Sequence, residues 1–171
     1  MMIDSARMDW PRLVPFAILA ASVGALITAY TAELAFGIEP CILCLYQRIP
    51  YAVAGTLAVA ALLAPGPRPK AWAVIGAGMA FLAGAEIAFY HVGVEQHWWR
   101  SIASCGVAAG DPEPETVEAL RRLLTEARPV KACDEVDWTL FGVSMATYNV
   151  AASLALAVGS FWGAEKIRRQ P

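Results

Sequence analysis

Four runs of uncharged residues, each long enough to cross a bilayer, leave this chain few ways to fold. Leu13 to Ala32 is 20 residues between Arg12 and Glu33, and Ile49 to Pro67 is 19 between Arg48 and Arg68. Ala71 to Val94 is 24 residues interrupted only by Glu86, and Trp138 to Ala164 is 27. About 20 apolar residues in a helix cross a hydrocarbon core of about 30 Å, and runs of this length rule against core strands. Glycine and proline within the runs do not argue against helix, since both are commoner in membrane helices than in soluble ones. With 58% hydrophobic and 16% charged residues the chain is too apolar for an ordinary soluble domain. The expectation is an all-α membrane protein, one domain over residues 1–171, with spans at about 13–32, 49–67, 71–94 and 138–164. The first run exceeds the roughly 7–15 residues of a cleavable signal, so it is expected to stay as a helix.

Lysine and arginine orient the bundle. Residues 1–12, 65–70 and 165–171 carry seven of the 13 Lys and Arg, in far less chain than the other two connections, which share six. The positive-inside rule therefore puts both termini and the Pro65–Lys70 turn in the cytoplasm. The loops at about 33–48 and 95–137 then face outward. The net charge of −2 gives no basic face for nucleic acid.

All four cysteines lie in those outward loops and none in the apolar runs, where a free thiol would pack as a small hydrophobe. Cys41 and Cys44 form a Cys-x-x-Cys motif, and Cys105 and Cys133 flank the middle of the one long polar stretch. Outward cysteines meet an oxidising compartment. A bridge across a two-residue gap closes too small a loop to stabilise much, so Cys41 and Cys44 are better suited to cycling between dithiol and disulfide. Two alternatives stay open on spacing alone: purely structural disulfides, and a metal site built from the four thiolates, although zinc ribbons carry two close pairs rather than one. Within the second loop, Val117, Leu120, Leu123, Leu124 and Ala127 recur at helical spacing, between Asp111-Pro112 and a stop at Arg128-Pro129. They predict a short amphipathic helix, either on the outer membrane surface or packed on the rest of the loop. His97-Trp98-Trp99-Arg100 reads as an interfacial anchor.

The segment Glu39-Pro40-Cys41-Ile42-Leu43-Cys44-Leu45-Tyr46-Gln47-Arg48 resembles the Pro-Cys-x-x-Cys-x-x-x-Arg signature of the disulfide-bond formation protein B (DsbB) family. Ser104-Cys105, and Cys133-Asp134-Glu135-Val136-Asp137-Trp138 running on to Phe141-Gly142-Val143-Ser144-Met145, resemble that family's second cysteine pair and its approach to the last helix. Phe89-Tyr90-His91-Val92-Gly93-Val94-Glu95 is similar to alphaproteobacterial members. The resemblance spans nearly the whole chain. It implies a monomeric four-helix bundle in the bacterial inner membrane, with periplasmic cysteines and both termini cytoplasmic. It also implies an enzyme that reoxidises a periplasmic thioredoxin-fold dithiol oxidase, DsbA-like, and passes the electrons to the membrane quinone pool. Ubiquinone is the implied cofactor, with menaquinone as the other choice, and no metal. By the same resemblance Cys41, Cys44, Cys105 and Cys133 are catalytic. Attack at Cys105 frees Cys133, which attacks Cys41 and releases Cys44.

Arg48 and His91 are the candidate quinone-binding residues. A guanidinium four residues after Cys44 shares its helix face if the helix already runs there, and can donate to a quinone carbonyl. Its other reading is an interfacial cation reaching for headgroups. His91 ends the third run near the same outer face. Glu86, an acid inside a span, is left outside the site. Gln47 stands where other members can carry an acidic residue, a departure expected to leave the core chemistry untouched.

Overall fold

The structure is a computed structural model that describes residues 9–101, 116–117, 133–134, 136 and 138–170. Helices α1 (Trp10–Phe36), α2 (Ile42–Leu63), α3 (Pro67–Glu95) and α4 (Met145–Arg168) are each long and apolar enough to cross a membrane. They form the four-helix bundle of a multi-pass membrane protein. The most extensive packing is α3 on α4, then α2 on α3 and α1 on α2. The amphipathic helix expected over 117–127 falls almost wholly outside the described residues, as does Cys105.

Burial in this bundle follows a bilayer rather than water. The interior is lined by small side chains, with Ala54, Ala58, Ala77 and Ala88 fully buried and Ser153 and Ser160 beside them. The large apolar side chains Phe16, Leu34, Leu63, Trp72 and Val158 are exposed. In lipid no hydrophobic drive pulls leucine inward, and small residues let helix backbones approach closely, so packing and interhelical hydrogen bonds hold the bundle.

Two helix starts differ from the charge-based expectation by seven residues, the other ends by up to four. Helix α2 begins at Ile42 rather than near residue 49, and so contains Cys44, Gln47, Arg48 and Pro50. A run bounded by charge stops at Arg48, but that cation is held inside the bundle by Glu33 of α1 at 2.7 Å. The fourth helix begins at Met145 rather than at Trp138. The residues before it form a two-residue hairpin, β1 (Thr139–Leu140) paired antiparallel with β2 (Val143–Ser144). Its turn is Phe141-Gly142, both with positive φ (52° and 78°), the conformation that a tight hairpin demands and that glycine adopts without penalty. Ser144 then caps α4 by accepting from the Thr147 N–H at 3.3 Å.

At the far end of α3 the chain folds back at His97, whose φ is 58°. Trp99 lies flat on Gly93, where a Cβ would come within 1.9 Å of the indole. Its Nε1–H donates to the Tyr90 carbonyl at 2.9 Å, and its ring stacks on Tyr90. The Trp pair therefore divides its work: Trp98 is largely exposed, whereas Trp99 closes the end of α3.

Candidate functional site

The site is assembled where the start of α2 meets the end of α3. Cys41 is the N-cap of α2 and Cys44 lies in its first turn, so one helical turn carries both sulfurs inward. Their Sγ atoms are 3.5 Å apart, with Cys41 donating to Cys44. His91 comes from the last turns of α3, with Nε2 3.6 Å from Cys41 Sγ. Cys41, His91 and Cys133 are all buried, and Cys44 is half-buried. Cys133 packs with Cys41, Leu43 and Val94 in one apolar cluster that Cys44 and Tyr90 flank. Two cysteines 92 positions apart in sequence therefore share one buried apolar cluster, as exchange between them requires.

The Cys41 thiol is pushed up to about 11 from its ordinary 9.0, first by donating its proton to the Cys44 sulfur and then by burial, with His91 pulling the other way. Burial also raises the Cys133 thiol. In the dithiol state the proton therefore rests on Cys41, and the Cys44 sulfur accepts it as a hydrogen bond. A sulfur so solvated, close to the helix N-terminus, is the better placed of the two to carry negative charge.

Behind this pair lies a polar layer that the apolar runs conceal. Gln47 is buried, with Nε2 2.8 Å from His91 Nδ1. The Gln47 carbonyl accepts from Asn149 Nδ2 of α4. Tyr51 donates to Asn149 Oδ1 at 2.5 Å and lies 3.1 Å from Ser153 Oγ. On the other flank His91 Nε2 is 3.8 Å from Glu95, whose second oxygen accepts from the α4 cap, Ser144, at 2.6 Å. Gln47, where the chain departs from the family pattern, is thus bonded directly to the His91 that faces Cys41. Spacing within two helices held the signal. Gln47 and Tyr51, and Asn149 and Ser153, are each four residues apart, so each pair presents two polar side chains on one face of a membrane helix.

Arg48 shares α2 with the cysteines but turns to α1. Its guanidinium donates to Glu33 Oε2 at 2.7 Å and lies 4.6 Å above the Tyr30 ring. Tyr30 also lines an apolar groove of about 420 Å³ on α1, with Val23, Leu26, Ile27, Thr31, Leu34 and Ala35. Glu86 is exposed on α3, outside the cluster.

Residues 11–163 match the family described as Disulfide bond formation protein DsbB. Disulfide bond formation protein B of Xanthomonas axonopodis pv. citri is 32% identical over 154 residues, 87% of each chain. The protein of the same name from Xylella fastidiosa strain Temecula1 is 32% identical over 152 residues, 86% of this chain and 87% of its own. An uncharacterized protein of Rickettsia prowazekii is 25% identical over 158 residues, 92% of this chain and 90% of its own. No solved structure matches the chain.

Proposed function

Because this chain belongs to the DsbB family of disulfide bond formation proteins, we propose that its disulfide oxidoreductase activity takes electrons from a periplasmic DsbA-like dithiol oxidase and delivers them to membrane quinone. The observation that carries this reading is the shared pocket of Cys41, Cys44 and Cys133 beside His91. Thiol exchange needs a thiolate in line with a disulfide sulfur, and the pocket holds three of the four sulfurs that a two-loop relay uses. Cys105, in the polar loop, is the sulfur that meets the soluble partner. Attack there by the partner's thiolate frees Cys133, which forms a bond to Cys41 and displaces Cys44 as a thiolate. The membrane is the bacterial inner membrane, with the cysteine end periplasmic and both termini cytoplasmic, on the strength of the lysine and arginine distribution.

The donor set fits a quinone. An apolar groove on α1 runs along Val23 to Ala35 and includes Tyr30, and the Arg48 guanidinium of α2 lies on that ring, so an isoprenoid tail and a carbonyl head would find adjoining surfaces on α1 and α2. When bound, ubiquinone, or menaquinone in its place, supplies a two-electron acceptor. Arg48 would hold a carbonyl oxygen with a planar donor pair, while Glu33 fixes the direction of that fork. His91, from α3, serves the sulfur of Cys41.

A second reading draws on the same cluster. Ligand atoms of Cys41, Cys44 and His91 all lie within 4.8 Å of one another, a set that could hold a soft metal ion. One experiment separates the two. Purified protein in lipid is given a reduced thioredoxin-fold partner and ubiquinone, and its metal content is measured alongside. The proposed function expects stoichiometric quinone reduction that stops when any one of the four cysteines is removed. Stoichiometric zinc with no quinone reduction would favour the metal-binding reading.

A further inference from the structure

A chain of hydrogen bonds runs from the first turns of α4 to the sulfur of Cys41. Tyr51 donates to Asn149 Oδ1 at 2.5 Å, and Ser153 donates to the same oxygen at 3.3 Å. With donors on Oδ1, the Asn149 amide nitrogen faces the other way and donates to the Gln47 carbonyl. That leaves Gln47 only its amide nitrogen to offer His91, and Nδ1 accepts it at 2.8 Å. A neutral imidazole that accepts at Nδ1 carries its proton at Nε2. Nε2 faces Cys41 Sγ at 3.6 Å and the Glu95 carboxylate at 3.8 Å. Ser144 holds the other oxygen of Glu95 by donating to it at 2.6 Å.

Gln47, Asn149, Tyr51 and Ser153 hold no thiol, and three helices contribute to a layer that lipid-facing sequence would not require. We infer that Asn149 is a positioning residue: acting through Gln47, it holds His91 in the Nε2–H tautomer and so keeps a hydrogen-bond donor on the Cys41 sulfur. The use of that donor rests on the relay proposed above. Once the partner's second thiolate has displaced Cys105 from the mixed disulfide, the Cys105 thiolate attacks the Cys133 sulfur of the Cys41–Cys133 disulfide; a Cys105–Cys133 bond forms and the Cys41–Cys133 bond breaks. The electron pair stays on Cys41, where the Nε2–H meets it. One disulfide replaces another, so no oxidant is needed for this step.

The chain has two histidines, His91 and His97, so ¹⁵N-histidine labelling reads the tautomer directly, with His97→Gln giving the assignment. The reduced unsubstituted protein should show a protonated Nε2 and a bare Nδ1. Asn149→Asp, once ionised, offers only acceptors. Gln47 must then turn its amide nitrogen toward α4 and its carbonyl toward His91, and Nδ1 becomes protonated. Gln47→Glu should produce a protonated Nδ1 from one hydrogen bond nearer, which keeps the test alive if the first variant does not fold. The rate arm uses Cys44→Ser protein trapped as the Cys41–Cys133 disulfide. Asn149→Asp in that background should slow release of Cys41 by about ten- to hundredfold, the loss of one hydrogen bond to a charged group.

A protonated Nδ1 and bare Nε2 in the unsubstituted protein, or an unchanged Nε2–H and bare Nδ1 in the folded variants, would overturn the assignment of Asn149. A reversed tautomer with unchanged release would overturn the role at Cys41. Failure of the trapped disulfide to exchange in otherwise unsubstituted protein would count against the relay, and the tautomer measurement would still stand.

Discussion

The two ends of this bundle are built on opposite plans from the same helices. Away from the cysteines, α1, α2, α3 and α4 meet mainly through Val14, Ile18, Ala58, Ala61, Val74, Ala164 and Ile167, and the polar side chains buried on this stretch, Ser22 and Ser160, are small hydroxyls. At the cysteine end, α2, α3 and α4 face one another with Gln47, His91, Glu95, Asn149 and Ser144. Tyr51 marks the border: its ring packs edge-on against Phe81 at 5.7 Å, while its hydroxyl enters the polar layer. The apolar end needs only shape, because lipid and Ala-rich helix faces are alike in polarity. The polar end must satisfy each donor and acceptor internally, since an unpaired polar group in hydrocarbon costs several kcal/mol. A membrane protein accepts that demand where chemistry needs it, and here it surrounds one sulfur pair.

The largest expected effect is at the polar end. Cys44→Ala should abolish quinone reduction in the lipid assay while the bundle keeps its helical circular dichroism. Turnover surviving in that variant would break the link between the polar layer and electron transfer.

Next comes the pH dependence of Cys41. Its thiol sits about two units above its ordinary value, so at neutral pH the reduced protein should alkylate there about a hundredfold more slowly than an unperturbed thiol. Mass mapping after iodoacetamide, stepped through pH, should show Cys41 reacting half-maximally near 11. The sign for stability follows. The folded state holds this proton more tightly than the unfolded chain, so the contribution is complete below pH 9 and is lost as pH rises through 11. Half-maximal labelling at 9 or lower would remove the proton from Cys41.

Arg48→Ala should raise the apparent KM for quinone about tenfold, the scale of one charge-assisted hydrogen bond, with thiol exchange at Cys105 and Cys133 unchanged. Lys should recover only part of this, since it keeps charge but not the planar fork. Equal losses in both half-reactions would merge Arg48 with the cysteine cluster and blur the division between α1 and α3.

The smallest effect on turnover belongs to the apolar end. Ala58→Leu forces a larger side chain into a fully buried site and should cost about 1–3 kcal/mol of stability, read as a lower midpoint of thermal unfolding. Quinone reduction at low temperature should persist. Lost turnover with unchanged stability would show that the two ends are not separate.

Much of this was legible from residues alone. Charge-free length marked four helices, and the Cys-x-x-Cys spacing with Arg48 marked the family. The helix ends were harder, because charge is a poor boundary where Glu33 pairs with Arg48 inside the bundle, and because Phe141-Gly142 turns a run of apolar residues into a hairpin. The contacts of Gln47 were the least legible, because only the packed bundle shows this amide joining His91 to α4.

The sequence by itself determined the solvent, the number of crossings and, through the Cys-x-x-Cys motif, the family. Those follow from local quantities: run length against bilayer thickness, and thiol spacing along one turn. Only the tertiary structure decided which neighbour each polar side chain answers to. Arg48 and Gln47 are consecutive on α2, but adjacent residues on a helix point about 100° apart. One therefore meets Glu33 of α1 and the other His91 of α3. That choice depends on where three other helices stand, and no local pattern along α2 encodes it.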